Sequence, residues 1–121
     1  MIIILNPGRR GYKAMMDEAA FDRVGRAELA DIEERLGDVD PDDVEITSSD
    51  GVLTLSLRDG IRVVINTHRA ARQIWMAAVA SAWHFDPPAA AGEGWRTGAG
   101  QELRATLRDV IRDRIGLTLD L

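Results

Sequence analysis

The sequence contains no cysteine. That excludes a disulfide framework, thiolate ligation of zinc or of an iron–sulfur cluster, and a thiol nucleophile, so any metal on this chain is held by oxygen or imidazole. Long apolar runs are missing too. The greasy start, Met1-Ile2-Ile3-Ile4-Leu5, is far too short for a membrane span or a signal-peptide core, and no basic residues precede it as a secretory signal requires. The cytoplasm follows as the default location. Basic residues are scarce where acidic ones are dense: Asp17 to Asp50 carries 13 acidic and 3 basic side chains, whereas Gly51 to Leu121 carries 7 and 9. One end of the chain is therefore strongly negative in a molecule of net charge −5. So little clustered Lys and Arg argues against nucleic acid and anionic membranes as partners.

At 121 residues with 45% hydrophobic content, the chain can bury one core and is too short for two ordinary domains. Residues 1–15 are read as an extension, either a disordered tail or a stretch upstream of a true start at Met16, and residues 16–121 as the domain. From Asp17 to Leu36, the residues Phe21, Gly25, Leu29, Ile32 and Leu36 recur at helical spacing and predict a long first helix. After Pro41 the period changes to two. Leu53, Leu55 and Leu57 alternate with Thr54 and Ser56, and Ile61, Val63 and Ile65 with Arg62, Val64 and Asn66. Asp50-Gly51 and Asp59-Gly60 supply the positive φ of tight hairpins. Trp83-His84-Phe85 and Trp95 predict further short strands. Leu103, Leu107, Val110, Ile111 and Ile115 predict a second helix, ended by a left-handed cap at Gly116. The expected fold is α+β: a two-layer sandwich with the N- and C-terminal helices packed on one face of a five- to six-stranded antiparallel sheet, the other face open. The leucines of the tail Leu117–Leu121 are expected to pack between the helices.

Two groups of residues carry candidate chemistry. The first is the acidic cluster Asp31, Glu33, Glu34, Asp38, Asp40, Asp42, Asp43 and Glu45. An arbitrary acidic run is more often a solvated face than a site, but the placement costs energy. Carboxylates in a last helical turn oppose the dipole by roughly 0.3–1 kcal/mol each. Like charges four apart cost about 0.2–0.5 kcal/mol per pair, and Asp31, Glu34 and Asp38 follow at three- and four-residue steps along one side. A cation or a basic partner would relieve them. Exposed oxygen-only ligands suit hard cations such as iron, manganese, calcium or magnesium, bound weakly. The spacing lacks an EF-hand loop.

The second group follows from strand parity. Ile65 and Ile74 inward place Asn66, Gln73 and Trp75 outward. Tryptophan in a strand is usually core, but an outward one flanked by amides resembles an aromatic interface anchor with a polar surround. Arg69 and Arg72, in the adjoining loop, are expected to add positive charge to that face. His68 and His84 are read as structural or surface residues, because they lack metal-ligand spacing. Ser48, Ser49, Ser56 and Ser81 show no nucleophile elbow, and Gly94 to Gly100 lacks the lysine and spacing of a P-loop.

Ile32-Glu33-Glu34-Arg35-Leu36 with acids following, Asp50-Gly51-Val52-Leu53-Thr54-Leu55, Val64-Ile65-Asn66, Gln73-Ile74-Trp75, His84-Phe85-Asp86 and Trp95-Arg96-x-Gly98 together resemble the frataxin family, in particular its bacterial CyaY branch. The resemblance covers Met16 to about Leu117. It implies the two-helix-over-sheet fold, weak binding of ferrous and ferric iron on an acidic ridge, and a role in iron–sulfur cluster assembly through contact with a cysteine desulfurase and its scaffold partner. It carries Glu33, Glu34, Asp38, Asp40 and Asp42 onto the ridge, and Asp31 and Asp43 of the same cluster complete the candidate metal set. It carries Asn66, Gln73 and Trp75 onto the partner-binding sheet surface. Gly37 stands where the ridge often has another acid, Val39 where an aromatic can occur, and His68 where glutamine is common. The expectation is a monomeric, non-enzymatic, iron-binding regulator. A ferroxidase, iron-storage or delivery protein and an acidic adaptor without metal are the alternatives. A true ferroxidase site needs a buried centre of carboxylates and His, and these acids read as exposed and loop-borne.

Overall fold

Asp17 starts the first helix by accepting the backbone N–H of Ala20 on its carboxylate at 2.7 Å. Helix α1 then runs Glu18–Arg35 and buries the stripe Phe21, Gly25, Leu29 and Ile32. Gly25 lets it lie close across the sheet, since a Cβ there would stand 3.0 Å from Thr67 Cγ2. The computed structural model describes residues 16–90 and 92–121. The expectation for residues 1–15 lies outside the described residues.

Five strands follow: β1 Val44–Ser49, β2 Val52–Leu57, β3 Arg62–His68, β4 Gln73–Ala78 and β5 Ser81–Phe85. Their spatial order is their chain order, and every neighbouring pair is antiparallel. The β1–β2 turn has φ of 48° at Asp50 and 80° at Gly51, consecutive positive values that suit the right-handed twist of a hairpin. Register pairs Leu53 with Ile65, Ile65 with Met76, and Ile74 with Phe85, so the apolar parity of four strands falls on one face.

The second helix, α2, spans Leu103–Ile115. Glu102 caps its start, accepting from the N–H groups of Arg104 and Ala105, and Gly116 ends it at φ 71°, donating to the Arg112 carbonyl at 2.8 Å. Both helices cover the apolar sheet face. Phe21, Ile32 and Leu36 from the α1 region and Leu103, Leu107 and Ile111 from α2 are fully buried against Leu55, Ile65, Ile74, Met76 and Phe85. The tail docks as well: Leu119 is buried, Leu117 and Leu121 are half-buried against the core, and Arg108 donates to the Leu121 carbonyl at 3.1 Å.

Trp95 does not form the expected sixth strand. Its side chain is drawn into the core, edge-on to Phe21 with ring centroids 6.0 Å apart. The chain turns back at once through the Gly100 N–H to Thr97 carbonyl bond. That leaves Arg96 only isolated bridges to Asp86 and Glu102. Among the described residues no helix is long and apolar enough to cross a membrane.

Candidate functional site

Helix α1 ends earlier than the acidic pattern anticipates. Leu36 is its C-cap, and the N–H groups of Leu36, Gly37 and Val39 close successive turns on Ile32, Glu34 and Leu36. Asp38 therefore lies beyond the helix, and the expected stack of Asp31, Glu34 and Asp38 on one helical side is broken between Glu34 and Asp38. Asp40, Asp42 and Asp43 sit in the turn that leads into β1, where Asp40 Oδ1 accepts the Asp42 N–H at 2.9 Å. Glu45 is separated from the cluster. It stands on β1 opposite Ser56, on the uncovered sheet face.

Arginines divide the remaining acids into two sets. Asp31 accepts from Arg35 Nε at 3.0 Å and from Arg104 Nη2 at 2.8 Å. Those hydrogen bonds, Arg35's first, hold its carboxyl below the usual aspartate range. Asp43 accepts from Arg58 Nη1 at 2.7 Å, and the same guanidinium donates to the Ile115 carbonyl at the end of α2. Glu33, Glu34, Asp38, Asp40 and Asp42 have no cationic partner among the described residues. No three acidic or imidazole groups converge there as a preformed metal centre, again among the described residues. Glu34, Asp38 and Asp40 border a groove of about 460 Å³, whose walls include Leu36, Val39 and Leu119. Asp120 lines it too. Sequence reading missed this residue, because only the docking of Leu119 into the core carries it there.

Trp75 faces outward, as parity predicts, but it is not a lone ring. Its indole lies between two imidazoles, His68 at 3.8 Å and 16° and His84 at 4.2 Å and 10° between ring centroids and planes. Register explains the stack. Asn66 and His84 are the direct cross-strand partners of Trp75, and His68 lies one diagonal step away, paired with Gln73. Trp75 Nε1 donates to Gln73 Oε1 at 2.9 Å, and Gln73 Nε2 donates to Asp86 Oδ1 at 3.1 Å. His68 Nδ1 accepts the Ala71 N–H at 3.2 Å, so a neutral His68 carries its proton on Nε2. Asn66 Nδ2 donates to the Thr67 carbonyl at 3.2 Å. The ring is thus fixed in place as part of a three-layer stack. The signal for it was available in the sequence: His68 shares the parity of Asn66, and a two-residue β4–β5 turn sets His84 opposite Trp75.

The two loop arginines do not charge this face. Arg69 pairs with Asp22 on α1 at 3.4 Å, and Arg72 Nε donates to the Met16 carbonyl at 2.8 Å. Both turn toward the start of α1, because an acid and a free helix-flanking carbonyl lie there.

A family model of the frataxin-like domain matches residues 14–117. Among solved structures, the chain is similar to a frataxin of the CyaY family from Psychromonas ingrahamii, with a TM-score of 0.78 and 23% identity, over 87% of this chain and 97% of that one. It is also similar to a trimeric frataxin from the yeast Saccharomyces cerevisiae complexed with ferrous iron, with a TM-score of 0.60 and 26% identity over 80% and 87% of the two chains. For the trimeric yeast frataxin with its full-length N-terminus the values are 0.58 and 27%, over 84% and 82%.

Proposed function

Because the chain belongs to the frataxin family, we propose that it binds iron loosely at the acidic end of α1 and regulates iron–sulfur cluster assembly, without itself being an enzyme. Its partners in this reading are a cytoplasmic cysteine desulfurase and its scaffold protein. The observation that carries the reading is the division of the acids. Asp31 and Asp43 are spent on Arg35, Arg104 and Arg58, while Glu33, Glu34, Asp38, Asp40 and Asp42 project without a counter-charge among the described residues. Open, oxygen-only carboxylates of this kind fit a hard, partly hydrated cation or a basic protein surface. The Trp75 stack with Gln73 and Asn66 supplies the second contact, to the scaffold, as a rigid aromatic patch with a polar surround.

The test is the rate of cluster formation on a scaffold with its desulfurase, with and without equimolar chain, at two iron concentrations. An iron-dependent change of rate is expected. An unchanged rate at both concentrations rejects regulation of those partners. A second reading, iron storage or ferroxidase chemistry in an oligomer, draws support from the trimeric yeast relative complexed with ferrous iron. Oxygen uptake together with iron-dependent assembly in sedimentation would favour it over the first.

A further inference from the structure

β5 is the last strand of the meander. Asp86, just beyond it, turns its N–H and C=O away from β4 and exchanges bonds of 2.8 and 3.1 Å with Arg96. Strand alternation sends the same groups of His84 and Ala82 to that side, and among the described residues no hydrogen bond reaches them there. Natural edges are commonly blocked by lysine, proline, bulges or inward charges. Ser81-Ala82-Trp83-His84-Phe85 has no such residue, and Ile74 to Phe85 lacks any Asp, Glu, Lys or Arg in a chain that is 29% charged.

Beside this edge lies a cavity of about 320 Å³ between β5 and α2. Trp83, half-buried on the inner side of β5, lines it together with Val110, Asp109 and Asp113 of α2. Both acids pair only with the exposed Arg112 of their own helix, at 3.0 and 3.7 Å, among the described residues. Exposed pairs of that kind contribute little and exchange readily.

We propose that the β5 edge accepts an extended basic segment of a partner protein as an added strand. Main-chain bonds to Ala82 and His84 hold the segment, and every second side chain, a Lys or Arg, enters the cavity across the Trp83 ring to meet Asp109 and Asp113. Charge selects this occupant over a second copy of the chain. The cavity lining carries the acids Glu102, Asp109 and Asp113 and no basic side chain, so it suits a cationic side chain, whereas two copies joined edge to edge would bring these like charges together. The inference is independent of iron and of the acidic end of α1.

The probe is a labelled short peptide of alternating Arg and Thr, followed by anisotropy with the full chain and by amide hydrogen exchange. Saturable binding is expected, with exchange at Ala82 and His84 slowed about tenfold or more. Ala82→Pro removes an outward donor while sparing the β4 ladder, and it should weaken binding about tenfold. The Asp109→Asn, Asp113→Asn double variant should do the same and keeps the test decisive if the proline variant misfolds. Glu33→Gln with Glu34→Gln and Asp38→Asn should leave the affinity within about twofold, because those acids are elsewhere. Binding lost only in this last variant, or unslowed exchange at Ala82 and His84, overturns the proposal. So does a dimer of the free chain that Ala82→Pro dissolves, which would assign the edge to a second copy.

Discussion

Arg104 of α2 grips Glu28 of α1 with two parallel hydrogen bonds, Nε to Oε2 and Nη2 to Oε1, each 2.9 Å long. The bonds to Glu28 raise its guanidinium pKa against the opposing cost of burial, with Asp31 adding to the effect. The pair is the polar clamp between the two helices. Arg104→Ala leaves Glu28 half-buried and unpaired, and we expect a loss of about 1.5–3 kcal/mol. Arg104→Lys should restore only part of it, because an ammonium does not present the guanidinium fork. Urea denaturation of both variants decides, and a parental midpoint for Arg104→Ala contradicts the clamp.

Neutralising Glu33, Glu34 and Asp38 and neutralising Asp31 should have opposite consequences. Glu33→Gln with Glu34→Gln and Asp38→Asn is expected to abolish iron binding and to stabilise the metal-free chain, by roughly 0.3–1 kcal/mol for each charge removed near the helix C-terminus. Asp31→Asn is expected to leave iron binding intact and to destabilise, since it strips Arg35 and Arg104 of a partner. Anaerobic ferrous titration calorimetry and thermal melts read both. Iron binding lost in Asp31→Asn would show that the arginines do not set the division.

His84→Ala opens one side of the Trp75 stack. Stacked aromatic pairs contribute about 0.5–1.5 kcal/mol, so stability should fall by that amount while scaffold affinity falls further, because the indole is no longer held. Near-ultraviolet circular dichroism should weaken in parallel. A band identical to the parent's would mean that the imidazole does not fix the ring in solution.

Acid should unfold the protein partly through Asp31 and Asp59. Asp59 titrates below the usual range chiefly because its carboxylate accepts the Ile61 N–H at 3.0 Å, with Arg114 at 2.9 Å adding to the effect against burial. Asp31 is lowered by Arg35 and Arg104. A depressed folded-state pKa means stability that is present above the unfolded value, about 3.9, and lost as pH falls through the lower folded one. The Asp31→Asn, Asp59→Asn double variant should therefore show a flatter stability profile below about pH 4. A slope equal to the parent's there would assign the acid sensitivity to other carboxylates.

Most of the layout is legible in the sequence because it rests on short-range periodicity. The stripe from Phe21 to Leu36, the alternation through Leu57 and Ile65, and the cap at Gly116 are each readable within a few residues. What escaped depends on distant meetings. Trp95 looks like a strand residue until Phe21 claims its ring. Asp31 looks like a carboxylate shared with its helical neighbour Arg35 at most, until Arg104 arrives from the far end of the chain. His68 and His84 look unrelated until register brings both onto Trp75. The same holds for Arg69, whose partner Asp22 is nowhere near it in sequence.

Strand order that copies chain order has a kinetic consequence. Each strand of this sheet can pair with one just made, at the small loop-closure cost of a tight hairpin. The layer above is different, for Glu28 and Arg104 are 76 residues apart and Phe21 meets Trp95 from the opposite end of the domain. We therefore expect folding to run as local zippering followed by one long closure, with the seam between the helices made last and undone first. Weakening that seam at Arg104 would accordingly appear in the unfolding arm of a chevron, with the refolding arm nearly unmoved.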